Sequence, residues 1–105
     1  MADTSRTGKR VLPLAGTRIA DFSRLLPGPW CSQLLGDFGA DVIKVEQPEV
    51  GDYSRHNPPA FKEGSVYFHS VNGNKRSIAV DLAQPDGLAV ARRLFETSDA
   101  VIESF

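Results

Sequence analysis

Few residues in this chain combine a reactive side chain with the spacing that chemistry demands. His56 and His69 lie 13 positions apart, with no cysteine or further histidine at metal-ligand spacing, so no metal site is expected. Cys31 is the single cysteine, sits in an apolar helical context and has no partner nearby in sequence. It reads as a small buried hydrophobe rather than a nucleophile or ligand. Asp21 ends an apolar run and is followed by Ser23. The two fall where an α/β sheet places its ligand crevice, or they bond loop amides. The adjacent cations Lys75 and Arg76 meet phosphates or form solvated surface. No triad, paired carboxylates or phosphate-loop lysine stands out, and no catalytic residue is assigned within the chain.

The turn Leu25-Leu26-Pro27-Gly28-Pro29 has a dinucleotide-binding flavour, because Glu46 follows Gly28 by 18 residues, as a ribose-binding acid would. The fingerprint for that task is G-x-G-x-x-G, whose later glycines let pyrophosphate and helix approach closely. Here Trp30 and Gln33 hold those places, and Pro29 removes one amide at the helix start. An NAD or FAD site is therefore not expected. A nucleotide-binding or non-catalytic Rossmann-like module is kept as an alternative reading.

The elements that must position these residues follow from periodicity. Thr17 to Gln47 reads as strand, turn, helix, turn, strand. The first strand spans Thr17 to Phe22, with Ile19 and Phe22 inward. The helix spans about Pro29 to Phe38, with Trp30, Cys31, Leu34, Leu35 and Phe38 on its apolar side. Val42 to Glu46 forms the second strand. An excursion from Gln47 to Gly73, 27 residues broken by Pro48, Gly51, Pro58, Pro59 and Gly64, is long for scaffolding and is expected to line a site or a subunit contact. His69 falls in an apolar run that is helical or extended, and reads as packed rather than as a base. Ile78 to Leu82 is a further strand. A helix starting near Pro85 carries Leu88, Ala91, Leu94 and Phe95 inward, and Ala100 to Phe105 is the last strand. Asp41 and Asp99, each between a helix end and a strand, are expected to satisfy turn amides. The order β-α-β, excursion, β-α-β specifies an α/β fold, a Rossmann-like open parallel sheet with right-handed crossovers. Residues 1–13 read as a polar N-terminal tail and 14–105 as a partial Rossmann-like domain.

Composition narrows the partners. A net charge of -1 over 105 residues, with no basic block, offers no broad attraction to nucleic acid or anionic membrane. No apolar run approaches the ~18 residues that a membrane span needs. The polar opening lacks the apolar region of a secretory signal, so the cytoplasm is the expected location. The sequence ends on an expected strand, and the reading is an incomplete N-terminal portion of a larger enzyme.

Several stretches taken together resemble one family. They are Ala20-Asp21-Phe22-Ser23, Leu26-Pro27-Gly28-Pro29, Leu35 to Glu46, Gly51-Asp52, Asn74 to Leu82 and Asp99 to Phe105. From Leu14 to Phe105 the chain resembles the opening quarter of the class III CoA-transferases, a group that includes formyl-CoA and succinyl-CoA:dicarboxylate transferases, carnitine CoA-transferases and α-methylacyl-CoA racemase. The resemblance implies a CoA-binding domain, acyl-CoA as a substrate rather than a resident cofactor, a small carboxylic acid as acceptor, and an interlocked homodimer. It also implies that an aspartate beyond this chain forms an aspartyl-CoA thioester, or that a racemase-type acid–base pair moves the proton α to the thioester. Tyr67-Phe68 and the run Ser70 to Ser77 favour the transferases, whereas the Leu-x-Pro-Gly-Pro turn leans toward the racemases. Carried over by motif, Leu25, Leu26 and Pro27 would lie beside the pantetheine or adenosine. Val80, Asp81, Leu82 and Ala83 would line the adenine and ribose, and Ser104 and Phe105 would begin another CoA contact. Gln47 stands where many members place an arginine toward a CoA phosphate, and Ala83 replaces a common lysine; Gln47 can hydrogen-bond but brings no charge.

Overall fold

The computed structural model describes residues 11–105. In chain order it contains β1 (Arg18–Asp21), α1 (Pro27–Asp37) and β2 (Asp41–Glu46). A single 3-10 turn (Tyr53–His56), a hairpin of β3 (Ala60–Phe61) and β4 (Gly64–Ser65), and the short α2 (Val66–Ser70) follow. The chain then forms β5 (Lys75–Ala79), α3 (Pro85–Thr97) and β6 (Ala100–Ile102). The main sheet has the order β5-β2-β1-β6 with every pair parallel. The expected open parallel α/β sheet is present. The chain steps outward from β1 to β2 and β5, then returns to the other side of β1 with β6, so the winding reverses beside β1. Ligand crevices of such sheets open outside the carboxyl ends of the strands at that reversal.

Strand alternation sends the apolar side chains to two faces. Ile19, Ala40 and Val42 gather with Leu14, Leu35 and Ile102 on the side of α1. Ala20, Phe22, Val45 and Val80 gather with Ala91 and Leu94 of α3. Phe22 also stacks on Phe95 of α3, with ring centroids 5.1 Å apart.

The structure corrects the expected helix faces. α1 begins at Pro27, two residues early, and buries Gly28, Pro29 and Ser32. Trp30, Cys31, Leu34 and Phe38 are exposed, and only Leu35 of the expected stripe joins a core. The cause lies beneath the helix. The sheet surface facing its first turns carries Asp21, which accepts the Ser32 hydroxyl at 2.5 Å, so a small polar residue fits where an apolar one does not. Gly28 has no alternative either, because a Cβ there would stand 2.1 Å from the Ser23 Cβ. In α3, Ala91 is buried and Leu94 half-buried, while Leu88 is exposed.

Strand boundaries shift as well. β5 runs from Lys75 to Ala79 rather than Ile78 to Leu82, in register Val42↔Lys75 through Glu46↔Ala79. Val80 adds one ladder bond, its N–H donating to the Glu46 carbonyl at 2.8 Å. The Asp81 carboxylate then accepts the Ala83 N–H at 3.0 Å and turns the chain out of the sheet. β6 stops at Ile102, so Ser104 and Phe105 lie past it. Of the expected tail, residues 1–10 lie outside the described residues, and Leu12 packs over Gly39, where an added Cβ would meet the Leu12 Cβ at 2.6 Å. Among the described residues no helix is long and apolar enough to cross a membrane.

Candidate functional site

The carboxyl ends of the central strands rest on buried charge. Ile19 and Val42 are the apolar residues of one sheet face; two positions further along each strand, the same face carries Asp21 and Lys44, both essentially without solvent contact. Each charge is paired. Lys75 donates to Asp21 Oδ2 at 3.1 Å, and also to the Pro29 carbonyl at 2.9 Å and Asn72 Oδ1 at 2.8 Å. Lys44 pairs with Asp52 Oδ2 at 2.8 Å and donates to the Ser23 carbonyl at 3.2 Å. The remaining lone pairs of Asp21 accept the Ser23 amide and hydroxyl. Buried ions persist only when paired and bonded in this way. Burial pushes the Lys75 ammonium below its ordinary range, against the pull of Asp21. Lys75 is thus committed inside the protein. Arg76 turns to the opposite end of the strands, where it pairs with Asp41 at 2.6 Å beside Arg18. Neither cation of that dipeptide reaches the crevice. Asp41 serves arginine side chains and not turn amides, whereas Asp99 accepts the Arg18 amide at 2.8 Å.

The start of the excursion is tied to this foundation by two carboxylates. Glu46, at the end of β2, receives Arg55 Nε at 2.7 Å and Nη2 at 2.8 Å, the Ser77 hydroxyl at 2.5 Å, and the Asp52 amide at 2.8 Å. Burial opposes its ionisation, but these donors outweigh burial and hold it at about 2. Asp52 accepts the amide and hydroxyl of Ser54 at 2.9 and 2.8 Å and so caps the 3-10 turn. Its carboxyl likewise lies below the usual range: burial raises it, and Lys44 and the Ser54 donors lower it further.

Above these groups a cleft of about 260 Å³ opens at the carboxyl ends of β1, β2 and β5. Phe22, Val45, Val80 and Leu82 give it apolar surface; Arg24, Gln47, Asp52 and Asp81 give it polar surface. Ala83 and Phe105 also border it. α3 begins hard against this rim, since a Cβ on Gly87 would stand 1.9 Å from the Asp81 carbonyl oxygen. Of the residues named from sequence, the cleft brings together Gln47, Val80, Asp81, Leu82, Ala83 and Phe105. Leu25, Leu26, Pro27 and Ser104 are not among its lining residues. Leu25 sits next to it in a left-handed turn (φ +69°), and Pro27 is the first residue of α1.

Sequence reasoning passed over Arg24 and Asp52. A signal for the second was present: a lysine at an inward position of an otherwise apolar parallel strand requires a carboxylate partner from elsewhere in the chain. Neither histidine lines this cleft. His56 Nε2 lies 2.9 Å from the Val50 carbonyl oxygen, and His69 packs edge-on to Phe61 and Phe68. No group of metal-ligating side chains assembles among the described residues.

Residues 14–105, all of the site included, match the model of CoA-transferase family III. The chain belongs to that family. As a family III chain it is 49% identical over 100 residues to the succinate–glutarate CoA-transferase of Agrobacterium fabrum, covering 89% of this chain and 25% of that one. It is 47% identical over 93 residues to a formyl-CoA:oxalate CoA-transferase of Rhodopseudomonas palustris, covering 88% and 22%. Among solved structures, a CAIB/BAIF family protein from Brucella suis superposes with a TM-score of 0.85 at 44% identity, over 91% of this chain and 26% of that one. The chain spans about a quarter of the length of these relatives.

Proposed function

We propose that this chain forms the CoA-holding part of an acyl-CoA:carboxylate CoA-transferase. The observation that carries the reading is the cleft at the strand ends, where Gln47, the run Val80 to Ala83 and Phe105 meet within a family III fold. Its mixed lining suits a ligand with an apolar arm and polar groups. Leu25, Leu26 and Pro27 would flank the same ligand from the turn before α1, and Ser104 would do so from beyond β6.

The chemistry belongs to an aspartate outside this chain. Its carboxylate attacks the thioester carbonyl, giving a mixed anhydride and CoA thiolate. The thiolate attacks the aspartyl carbonyl, expelling the first carboxylic acid and leaving an aspartyl-CoA thioester. A small carboxylate acceptor attacks that thioester, giving a second mixed anhydride and CoA thiolate. The thiolate then attacks the acceptor's acyl carbonyl, releasing the acceptor's CoA thioester and the free aspartate carboxylate. The three buried carboxylates at the strand ends are spent on structure: Asp21 on Lys75, Asp52 on Lys44, Glu46 on Arg55. The reading extends to CoA as a transient substrate with no resident cofactor, to a homodimer, and to the cytoplasm.

The test uses the whole protein. Free CoA should protect amides near Leu26 and Asp81 from exchange, and acyl-CoA should leave a hydroxylamine-sensitive covalent adduct. Exchange of the α-carbon proton without acyl transfer would replace this reading with a racemase. Absence of CoA binding would remove both.

A further inference from the structure

The charges that line the cleft are not equivalent. Glu46 and Asp52 are neutralised from behind by Arg55 and Lys44, and Asp81 is occupied with the Ala83 amide. Arg24 differs. Among the described residues its guanidinium has no carboxylate partner and no side-chain hydrogen bond; it lies over the Tyr53 ring at 5.2 Å and near the Phe105 ring at 5.9 Å. Aromatic faces hold a guanidinium in place without consuming its N–H donors. Gln47, across the same lining, can donate a hydrogen bond but adds no charge. The cleft therefore presents one available cation, braced by two rings and carrying a donor fork suited to phosphate oxygens.

We infer that Arg24 is the phosphate-recognising residue of this cleft, held in position by Tyr53 and Phe105. The inference rests on the CoA reading above and adds to it the group that takes the anionic part of the ligand. Arg24 acts in binding and has no part in the acyl-transfer steps.

The experiment titrates the whole protein, as wild type, Arg24→Gln and Arg24→Lys, with CoA, 3′-dephospho-CoA and an acyl-pantetheine that lacks phosphates. Arg24→Gln should weaken CoA by roughly 10- to 100-fold, the loss of a charge-assisted contact. Arg24→Lys should recover part of that loss, and acyl-pantetheine should bind both variants as it binds wild type. A deficit confined to CoA assigns the contact to the 3′-phosphate, and a deficit shared with dephospho-CoA assigns it to the diphosphate; either supports the inference. Wild-type affinity of Arg24→Gln for CoA would overturn it, and so would an equal loss for acyl-pantetheine, which marks a structural role. If wild type itself fails to bind CoA, the functional reading falls and this inference with it. CoA binding by wild type and by Arg24→Gln alike removes the inference alone.

Discussion

The backbone amide of Leu25 points at the Asp52 carboxylate, 3.1 Å from Oδ1 and 3.3 Å from Oδ2. This contact joins the left-handed turn before α1 to the first residues of the excursion across 27 positions of sequence. Asp52 is itself anchored by Lys44, so the shape of one side of the cleft depends on a buried ion pair. Asp52→Asn keeps the outline but leaves the Lys44 ammonium without its counter-charge. A loss of roughly 3 kcal/mol or more is expected in denaturant melts of the whole protein. Pairing it with Lys44→Met should recover a substantial part, since the uncompensated charge is then gone. A double variant as unstable as the sum of the singles would contradict this coupling.

Glu46 predicts a specific acid limb. Its folded pKa of about 2 lies below the ordinary 4.5. The folded state therefore prefers the ionised form, and the stabilisation is complete above about pH 4.5 and lost as the pH falls toward 2. A shift of that size corresponds to roughly 3 kcal/mol. Glu46→Gln should be less stable than wild type at pH 7 and show a flatter slope of stability between pH 5 and 2.5 in melts. An unchanged slope would mean that Arg55 and Ser77 do not favour the carboxylate.

Much of the sheet was legible because short β-rich runs and Pro-initiated helices are local signals. β2, the span of α1 to within two residues and the start of α3 follow from them. The side chains at the strand ends were not legible. Asp21 and Lys75 are 54 positions apart, and no local pattern joins them. The apolar periodicity of α1 misled for a physical reason: a hydrophobic stripe shows which face avoids water, but the face that docked here met a carboxylate. Ser32 and Gly28 went inward, and Trp30, Leu34 and Phe38 stayed exposed in this span of chain. The strand shift of β5 had the same origin. Lys75 read as a phosphate contact or as solvated surface, yet it belongs to the ladder and its ammonium finds Asp21. That shift places Val80 to Ala83 on the cleft rim.

Ser32 turns that lesson into a test. By sequence pattern, an apolar residue at an inward helix position stabilises. Here Ser32→Ala should cost about 1–2 kcal/mol, because Asp21 loses a hydroxyl donor in a dry site. Ser32→Leu should cost more, since it adds bulk against a buried carboxylate. Chemical denaturation of the whole protein measures both, and a gain in stability from Ser32→Leu would show that the face beneath α1 tolerates apolar packing.

Two glycines separate close packing from mere helix propensity. At Gly36, in the interior of α1, a Cβ would meet only Val42 Cγ2 at 3.5 Å, an ordinary contact. Gly36→Ala should therefore be neutral or stabilise by up to ~1 kcal/mol, because alanine restricts the unfolded chain and favours the helix. At Gly87, in the first turn of α3, a Cβ would fall 1.9 Å from the Asp81 carbonyl oxygen and 2.7 Å from its carbon. Backbone cannot yield as a side chain does, so Gly87→Ala must push α3 and the Asp81–Ala83 turn apart. A loss of about 1–3 kcal/mol is expected despite the better helix propensity. The same displacement opens the cleft rim, so CoA should bind the whole Gly87→Ala protein more weakly while Gly36→Ala binds as wild type. Thermal melts and ligand titration read the two effects separately. A Gly87→Ala protein with unchanged melting and unchanged CoA affinity would mean that the start of α3 does not set the position of that wall.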